Sequence, residues 1–449
     1  MTKLRKEGGD YIYSSIIGDC PIPDVSIYDF MFNRSAGVDF PPALPDSRVA
    51  MIDDATGRRV TYGELRDSID ALAKSFYHDL NIRREDVVCF YGPNHLNYLS
   101  SMWGLIKLGA VMSGANPSYT RDELAFQVKL AKAKYVFAHP VSYNVALEAA
   151  KDIGMPAENV ILFEAKEGST SVITIDQLEQ IGKTRPEAEY LKLRPNEAAK
   201  KLAFLSFSSG TSGLPKGVMI SHRNVIANVC QLYKFEVELK AFGHCKNPVS
   251  SCFLPFYHIY GLVVLAHSEL TNGAALCVIQ NFEPNRFLES VKKYQISHIF
   301  LVPPIIVALL NMPREKLDVG FEVTSILAGA APLGADLTKR LRDVWPSASI
   351  RQGWGMTETA TACSKTTYYQ GLVNSQLDEG VGILLPYVEY MIVDPNTMKS
   401  LPPGHVGELW VRGPNITMGY YENEKATADT YNQRGQGWLR SGDEGLKLH

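Results

Sequence analysis

Residues 204–221 read FLSFSSGTSGLPKGVMIS, and the chemistry of this stretch is that of an anion cradle. Ser208, Ser209, Thr211 and Ser212 supply hydroxyl donors without fixed charge. Gly210, Gly213 and Gly217 let backbone N–H groups approach a ligand closely. Lys216 adds one movable cation suited to phosphate oxygens. The stretch is not a Walker A loop. That motif requires a hydroxyl residue directly after its lysine, whereas Lys216 stands between Pro215 and Gly217. A second group of candidates lies in GWGMTET, residues 353–359. Thr357 and Glu358 follow Gly355 at the expected end of a strand, where α/β folds bind ligands. Glu358 offers a carboxylate, a ligand type suited to a hard cation. Asp443, in SGDEG, follows a glycine and by itself reads as a turn residue. His258, in FYHIYG, reads by itself as a structural histidine.

The elements that must position these residues follow from hydrophobic pattern. Short apolar runs at 86–92, 134–138, 159–163, 202–207, 275–279, 298–302 and 324–329 predict strands, and helical segments such as 223–235 and 333–345 alternate with them. That alternation predicts an α/β fold of two halves, with mostly parallel sheets flanked by helices. Thr61 and Glu64 form a capping box before a helical face of Leu65, Ile69, Leu72 and Phe76. Ser221 is placed to cap the helix after the cradle. Beyond about residue 365 short strands at 388–394 and 407–413 are separated by Pro and Gly turns, which predicts a small antiparallel or barrel-like subdomain. The expected division is 1–195, 196–365 and 366–449, with the polar stretch 164–198 as the seam.

Composition narrows the function. The 449 residues carry 45 Lys and Arg against 48 Asp and Glu, a net charge of -3, with no basic stripe, so no nucleic-acid partner is expected. The apolar runs are too short for a membrane span. Seven cysteines lie far apart with no CxxC pair, which argues against a disulfide framework or a zinc site and for a reducing compartment. A cytoplasmic location is the simple expectation. A peroxisomal one is the alternative, should a sequence past His449 carry an address.

SSGTSGLPKGV closely resembles the phosphate loop of adenylate-forming enzymes, the superfamily of acyl-CoA synthetases, adenylation domains and firefly-type luciferases. GWGMTET, GELWVRG (407–413) and GWLRSGDEG (437–445) resemble later motifs of that family, in the same order. LPFYHIYGL (254–262) and GAAPLG (329–334) are most similar to the 4-coumarate–CoA ligase-like subgroup. The resemblance implies ATP, Mg²⁺ and CoA as cofactors, and a small-molecule carboxylic acid as substrate, converted to an acyl-AMP and then to a thioester. It implies that Thr211 and Lys216 act on the ATP phosphates, that Thr357 contacts the α-phosphate, that Glu358 holds Mg²⁺ and that Asp443 accepts the ribose hydroxyls. His258 would position the acid's carboxylate. Gly329, Ala330, Ala331, Gln352, Gly353, Trp354, Gly355 and Met356 would complete the nucleotide site. Trp354 stands where the family usually has tyrosine, so base stacking is retained and the phenolic hydroxyl is lost.

The implied acid pocket comprises Tyr257, His258, Ile259, Tyr260, Val263, Leu327, Gly329, Gly353, Thr361, Ala362 and Cys363. Leu327 stands where plant hydroxycinnamate ligases carry lysine, which favours an apolar aryl (cinnamate- or benzoate-like) or medium-chain aliphatic acid. The resemblance also implies a small C-terminal domain with a hinge and a lysine serving adenylation. The sequence stops at His449, where that hinge should begin, so this chain is expected to bind ATP or acyl-AMP and to turn over poorly. A luciferase-like oxygenase and a non-catalytic nucleotide-binding module are the alternative readings.

Overall fold

The computed structural model describes residues 2–33, 40–165, 172–208, 215–239, 247–372, 380–431 and 433–446. Three sheets organise it. The first has six strands in the order Lys216–Ser221, Leu202–Ser208, Val111–Ala115, Val87–Tyr91, Ala133–Ala138 and Val160–Leu162. It is parallel except for the hairpin that carries the cradle, where Lys216 pairs with Ser208. The second has nine strands. Its centre, including Val249–Cys252, His298–Leu301, Ser325–Ala328 and Ser349–Met356, is parallel, and both margins turn antiparallel. Central strands such as Val87–Tyr91 and Ser325–Ala328 are buried throughout, as expected of parallel sheets covered on both faces.

Sheet membership does not follow chain order across residue 195. Strands Val49–Asp53 and Arg59–Thr61 join the nine-stranded sheet, and the cradle hairpin joins the six-stranded one. The third sheet is antiparallel with five strands, Lys3–Glu7, Asp10–Ser14, Glu389–Val393, Val406–Arg412 and Leu439–Leu446. The expected small antiparallel subdomain is this sheet, open among the described residues, and its first two strands come from the N-terminus. Tyr13 pairs with Tyr390 across that junction, their rings stacked 4.7 Å apart. The outer strand Lys3–Glu7 is charged and mostly exposed, which discourages further edge pairing.

The predicted caps form. Thr61 and Glu64 close a capping box on helix Tyr62–His78, and Ser221 does the same with Asn224 on helix His222–Glu238. Helix Ile175–Gly182 occupies the polar stretch read as a seam, and it packs on helix Tyr62–His78. The apolar run at 261–266 is part of a π-helix, Tyr260–Glu269, buried from Tyr260 to Ser268. Wide π-turns often mark functional sites, and this one supplies a wall of the cavity described below. Among the described residues no helix is long and apolar enough to cross a membrane.

Candidate active site

A cavity of about 260 Å³ opens at the C-terminal ends of strands Ser325–Ala328 and Ser349–Met356. Parallel α/β sheets bind ligands at that edge. The backbone there is unusual. Strand Ser349–Met356 shifts register against Thr361–Lys365 between Trp354 and Gly355. A Cβ on Gly355 would stand 1.5 Å from the Thr361 carbonyl oxygen, so only glycine fits. Ala330, Ala360 and Thr361 all have positive φ, at 67°, 47° and 101°. A β-branched residue at such a φ is a strained one, and strain of this kind concentrates at functional sites.

Of the residues proposed from sequence, His258, Ile259, Tyr260, Leu327, Gly329, Ala330, Gly353 and Trp354 line this cavity, together with Gly355, Met356, Thr357, Glu358, Thr361 and Ala362. Others stand elsewhere. Val263 and Cys363 are wholly buried behind the wall. Gln352 is buried, and its Oε1 accepts from the Leu333 N–H at 2.8 Å, so it supports the 329–334 turn. Tyr257 packs beside Gly114, and Ala331 is exposed. Ser209, Gly210, Thr211, Ser212 and Gly213 lie outside the described residues.

The described ends of the cradle do reach the site. Ser208 Oγ lies 3.5 Å from Glu358 Oε1, and the Lys216 ammonium sits 5.0 Å from the centre of the Tyr420 ring. The Tyr420 hydroxyl in turn donates to Glu358 Oε1 at 2.8 Å. Burial, then the adjacent carboxylate, raises the Tyr420 pKa, so it remains a donor. Tyr420 belongs to a strap, residues 414–421, that stitches the site together. Thr417 donates its N–H and its hydroxyl to the Glu358 carbonyl, each at 3.0 Å. Met219 and Gly217 exchange backbone hydrogen bonds with Met418, Gly419 and Tyr421. Asn224, in the first turn of helix His222–Glu238, donates to the carbonyls of Pro414 and Ile416.

The loop carrying His258 is fixed by Asn94, which donates to the Cys252 and Leu254 carbonyls and accepts from the Phe256 N–H. His258 Nδ1 accepts from the Tyr260 N–H at 3.3 Å. In the neutral ring Nε2 therefore carries the proton and is a donor. His258 is exposed by surface area, and burial of the ring among its neighbours lowers its pKa. Trp354 Nε1 donates to Asp443 Oδ2 at 2.8 Å, which joins two residues far apart in sequence.

The sequence reading did not single out Tyr420, Asn94 or the charged group at the cavity's inner end. Lys365 lines the cavity and is buried. Its ammonium and the Arg351 guanidinium both donate to Glu236 Oε1, on helix His222–Glu238. Burial opposes the Glu236 charge, but the two cations prevail and take its pKa down to about 2. Lys365 moves the other way from an ordinary ion-paired lysine. Burial first and Arg351 second lower its pKa, against the pull of Glu236. The wall expected to be apolar thus combines Leu232, Val264 and Leu327 with a buried cation.

The three sheets and the cavity at their edge define the adenylate-forming fold. Residues 42–421 match the model of the AMP-binding enzyme family, and the chain belongs to that family. It is 32% identical over 445 residues to 4-coumarate–CoA ligase 4 of Arabidopsis thaliana, covering 97% of this chain and 75% of that protein. It is 33% identical over 435 residues to 4-coumarate–CoA ligase-like 4 of Oryza sativa, covering 95% of this chain and 73% of the relative. Among solved structures, a long-chain-fatty-acid–CoA ligase of Archaeoglobus fulgidus superposes with a TM-score of 0.79 at 21% identity, over 99% of this chain and 85% of the other.

Proposed function

We propose that this protein is an ATP-dependent acid–CoA ligase. It activates a carboxylic acid as acyl-AMP, releases pyrophosphate and passes the acyl group to the thiol of CoA. The carrying observation is that one cavity brings His258, Trp354, Thr357 and Glu358 together with the apolar walls of Ile259, Val264 and Leu327. In this reading a nucleotide site and an acid site are continuous in it.

A free carboxylate is a poor acyl donor, since its leaving group would be oxide. Attack of its oxygen on the α-phosphorus forms a P–O bond and breaks the bond to pyrophosphate, giving a mixed anhydride with a good leaving group. Two anions must meet, so the chain's work is to place donors and cations in advance. In this reading His258 donates Nε2–H to the acid's carboxylate and aims it. It does not act as a base, because the acid is already ionised at neutral pH. Thr357, Lys216, Thr211 and the cradle N–H groups hold the phosphates. Trp354 stacks on the base, and its indole N–H orients Asp443 toward the ribose hydroxyls. The apolar lining suits an acid with an aryl or medium-chain aliphatic body.

The residues present fit a Mg²⁺ ion. Glu358 lines the cavity, its Oε1 is occupied by Tyr420, and its Oε2 has no hydrogen-bond partner among the described residues. Among those residues no cluster of three His, Cys, Asp or Glu could hold a metal alone. One carboxylate completed by phosphate oxygens and water is how Mg²⁺ is usually held. When bound, the ion screens phosphate charge from the incoming carboxylate. A reducing compartment, the cytoplasm first, is the reading that seven widely spaced cysteines without a CxxC pair support.

The test is product identity. Incubation with ATP, Mg²⁺, CoA and a mixed acid pool should yield AMP, pyrophosphate and an acyl-CoA by mass spectrometry. Formation of ADP and phosphate in their place would refute the proposal.

A further inference from the structure

We infer that the inner end of the cavity recognises a neutral oxygen on the tail of the acid, a hydroxyl, ketone or ether, through Lys365. The inference rests on the acid-activating reading above. Strand register builds this end. Leu327 pairs with Arg351 and Gly353 with Lys365, and alternation along the strand puts Arg351 and Gly353 on one face. A Cβ on Gly353 would stand 2.9 Å from the Ser364 carbonyl oxygen, so the two strands approach closely there. Arg351 lies beside this point along the strand and Lys365 across it, and of the two Lys365 lines the cavity.

Both are buried cations with donors to spare. Lys365 donates to Glu236 Oε1 and to no other acceptor among the described residues, which leaves two of its three N–H groups unused. Arg351 donates Nη1 to Glu236 at 2.7 Å and Nη2 to Ser325 Oγ at 2.8 Å, while its Nε–H is buried without a partner among the described residues. Unpaired buried donors are costly. An all-carbon tail laid into this end would leave the Lys365 donors unpaired, whereas a tail oxygen would accept from them. Leu232, Val264 and Leu327 line the approach, so the remainder of the tail is apolar.

Charge balance selects a neutral oxygen over a second carboxylate. Two carboxylates already face the two cations. Glu236 binds both, and Glu269, held by Ser250 Oγ at 2.7 Å and His298 Nδ1 at 3.1 Å, lies close enough to act on Lys365. A further buried negative charge would be uncompensated.

Binding of hydrolysis-resistant acyl-sulfamoyladenosines tests this without turnover. A series from butanoyl to decanoyl is made with a terminal methyl, hydroxyl or carboxylate, and affinities are measured by calorimetry. At one chain length the hydroxyl tail should bind about tenfold more tightly than the methyl tail, the scale of one satisfied hydrogen bond. Lys365→Met should bring that ratio to near unity, and Lys365→Arg should preserve it. Preference for the methyl or the carboxylate tail at every length would overturn the inference, as would a Lys365→Met variant that weakens both tails in equal proportion. Should that variant fail to fold, the wild-type ratio alone decides. Binding of every analogue without discrimination overturns only the tail site, whereas no binding of any analogue overturns the adenylate reading and the tail site with it.

Discussion

Tyr420 is the residue on which the proposed phosphate side of the site converges. Its hydroxyl holds Glu358 Oε1 and its ring faces the Lys216 ammonium, so one side chain orients an anion and a cation of the proposed machinery. Tyr420→Phe removes the first contact and keeps the second. It is expected to raise the Mg²⁺ concentration needed for half-maximal ATP binding and to lower kcat/KM about tenfold, the value of a hydrogen bond to a charged group. The KM for the acid should be unchanged, and titrating Mg²⁺ into the variant with ATP checks the split. Glu358→Gln keeps the shape and loses the charge, and a fall in kcat of about 10²-fold is expected, comparable to removal of one electrostatic contact to a reacting centre. At this scale residue type marked Glu358 and Thr357 in the sequence and the family resemblance marked His258, and all three line the one cavity. The sequence was silent on Tyr420, because a tyrosine in a turn-rich stretch carries no local mark of the carboxylate that it meets 62 residues away in the chain.

Among the elements, the strand pair Ser349–Met356 and Thr361–Lys365 shapes the cavity. Its register shift depends on Gly355, whose hydrogen faces the Thr361 carbonyl. Gly355→Ala cannot be accommodated without moving backbone, and a loss of more than about 4 kcal/mol is expected, in the range reserved for specific disruptions of this kind. Urea unfolding of the variant measures it, and a loss below about 1 kcal/mol would show that the bulge relaxes. Most elements here were legible from periodicity and caps, since buried strands and capped helices are encoded within a few residues. Pairing was not. Strand Asp10–Ser14, which carries Lys3–Glu7 beside it, joins Glu389–Val393 through pairs more than 370 residues apart, and no local pattern announces a partner at that distance.

For the molecule as a whole, the buried set of Glu236, Arg351 and Lys365 ties helix His222–Glu238 to the nine-stranded sheet. The folded pKa of Glu236, about 2, lies below the ordinary carboxylate value of 4.5. Its contribution to stability is therefore complete above that ordinary value and is lost as pH falls toward about 2. Glu236→Gln should remove that acid-limb dependence, and at neutral pH it should cost about 3–5 kcal/mol by leaving two buried cations facing each other. Chemical denaturation across pH compares the two proteins. None of this set was anticipated, because an isolated Glu, Arg or Lys in a sequence reads as surface and only tertiary packing brings the three together. The central claim is that the chain joins a carboxylate oxygen to the α-phosphorus of ATP, and isotope transfer tests it most directly. With an acid labelled by heavy oxygen in its carboxylate, and CoA present, the AMP formed should carry one labelled oxygen, and Glu358→Gln should suppress the transfer. Unlabelled AMP, or label appearing only in inorganic phosphate, would contradict it.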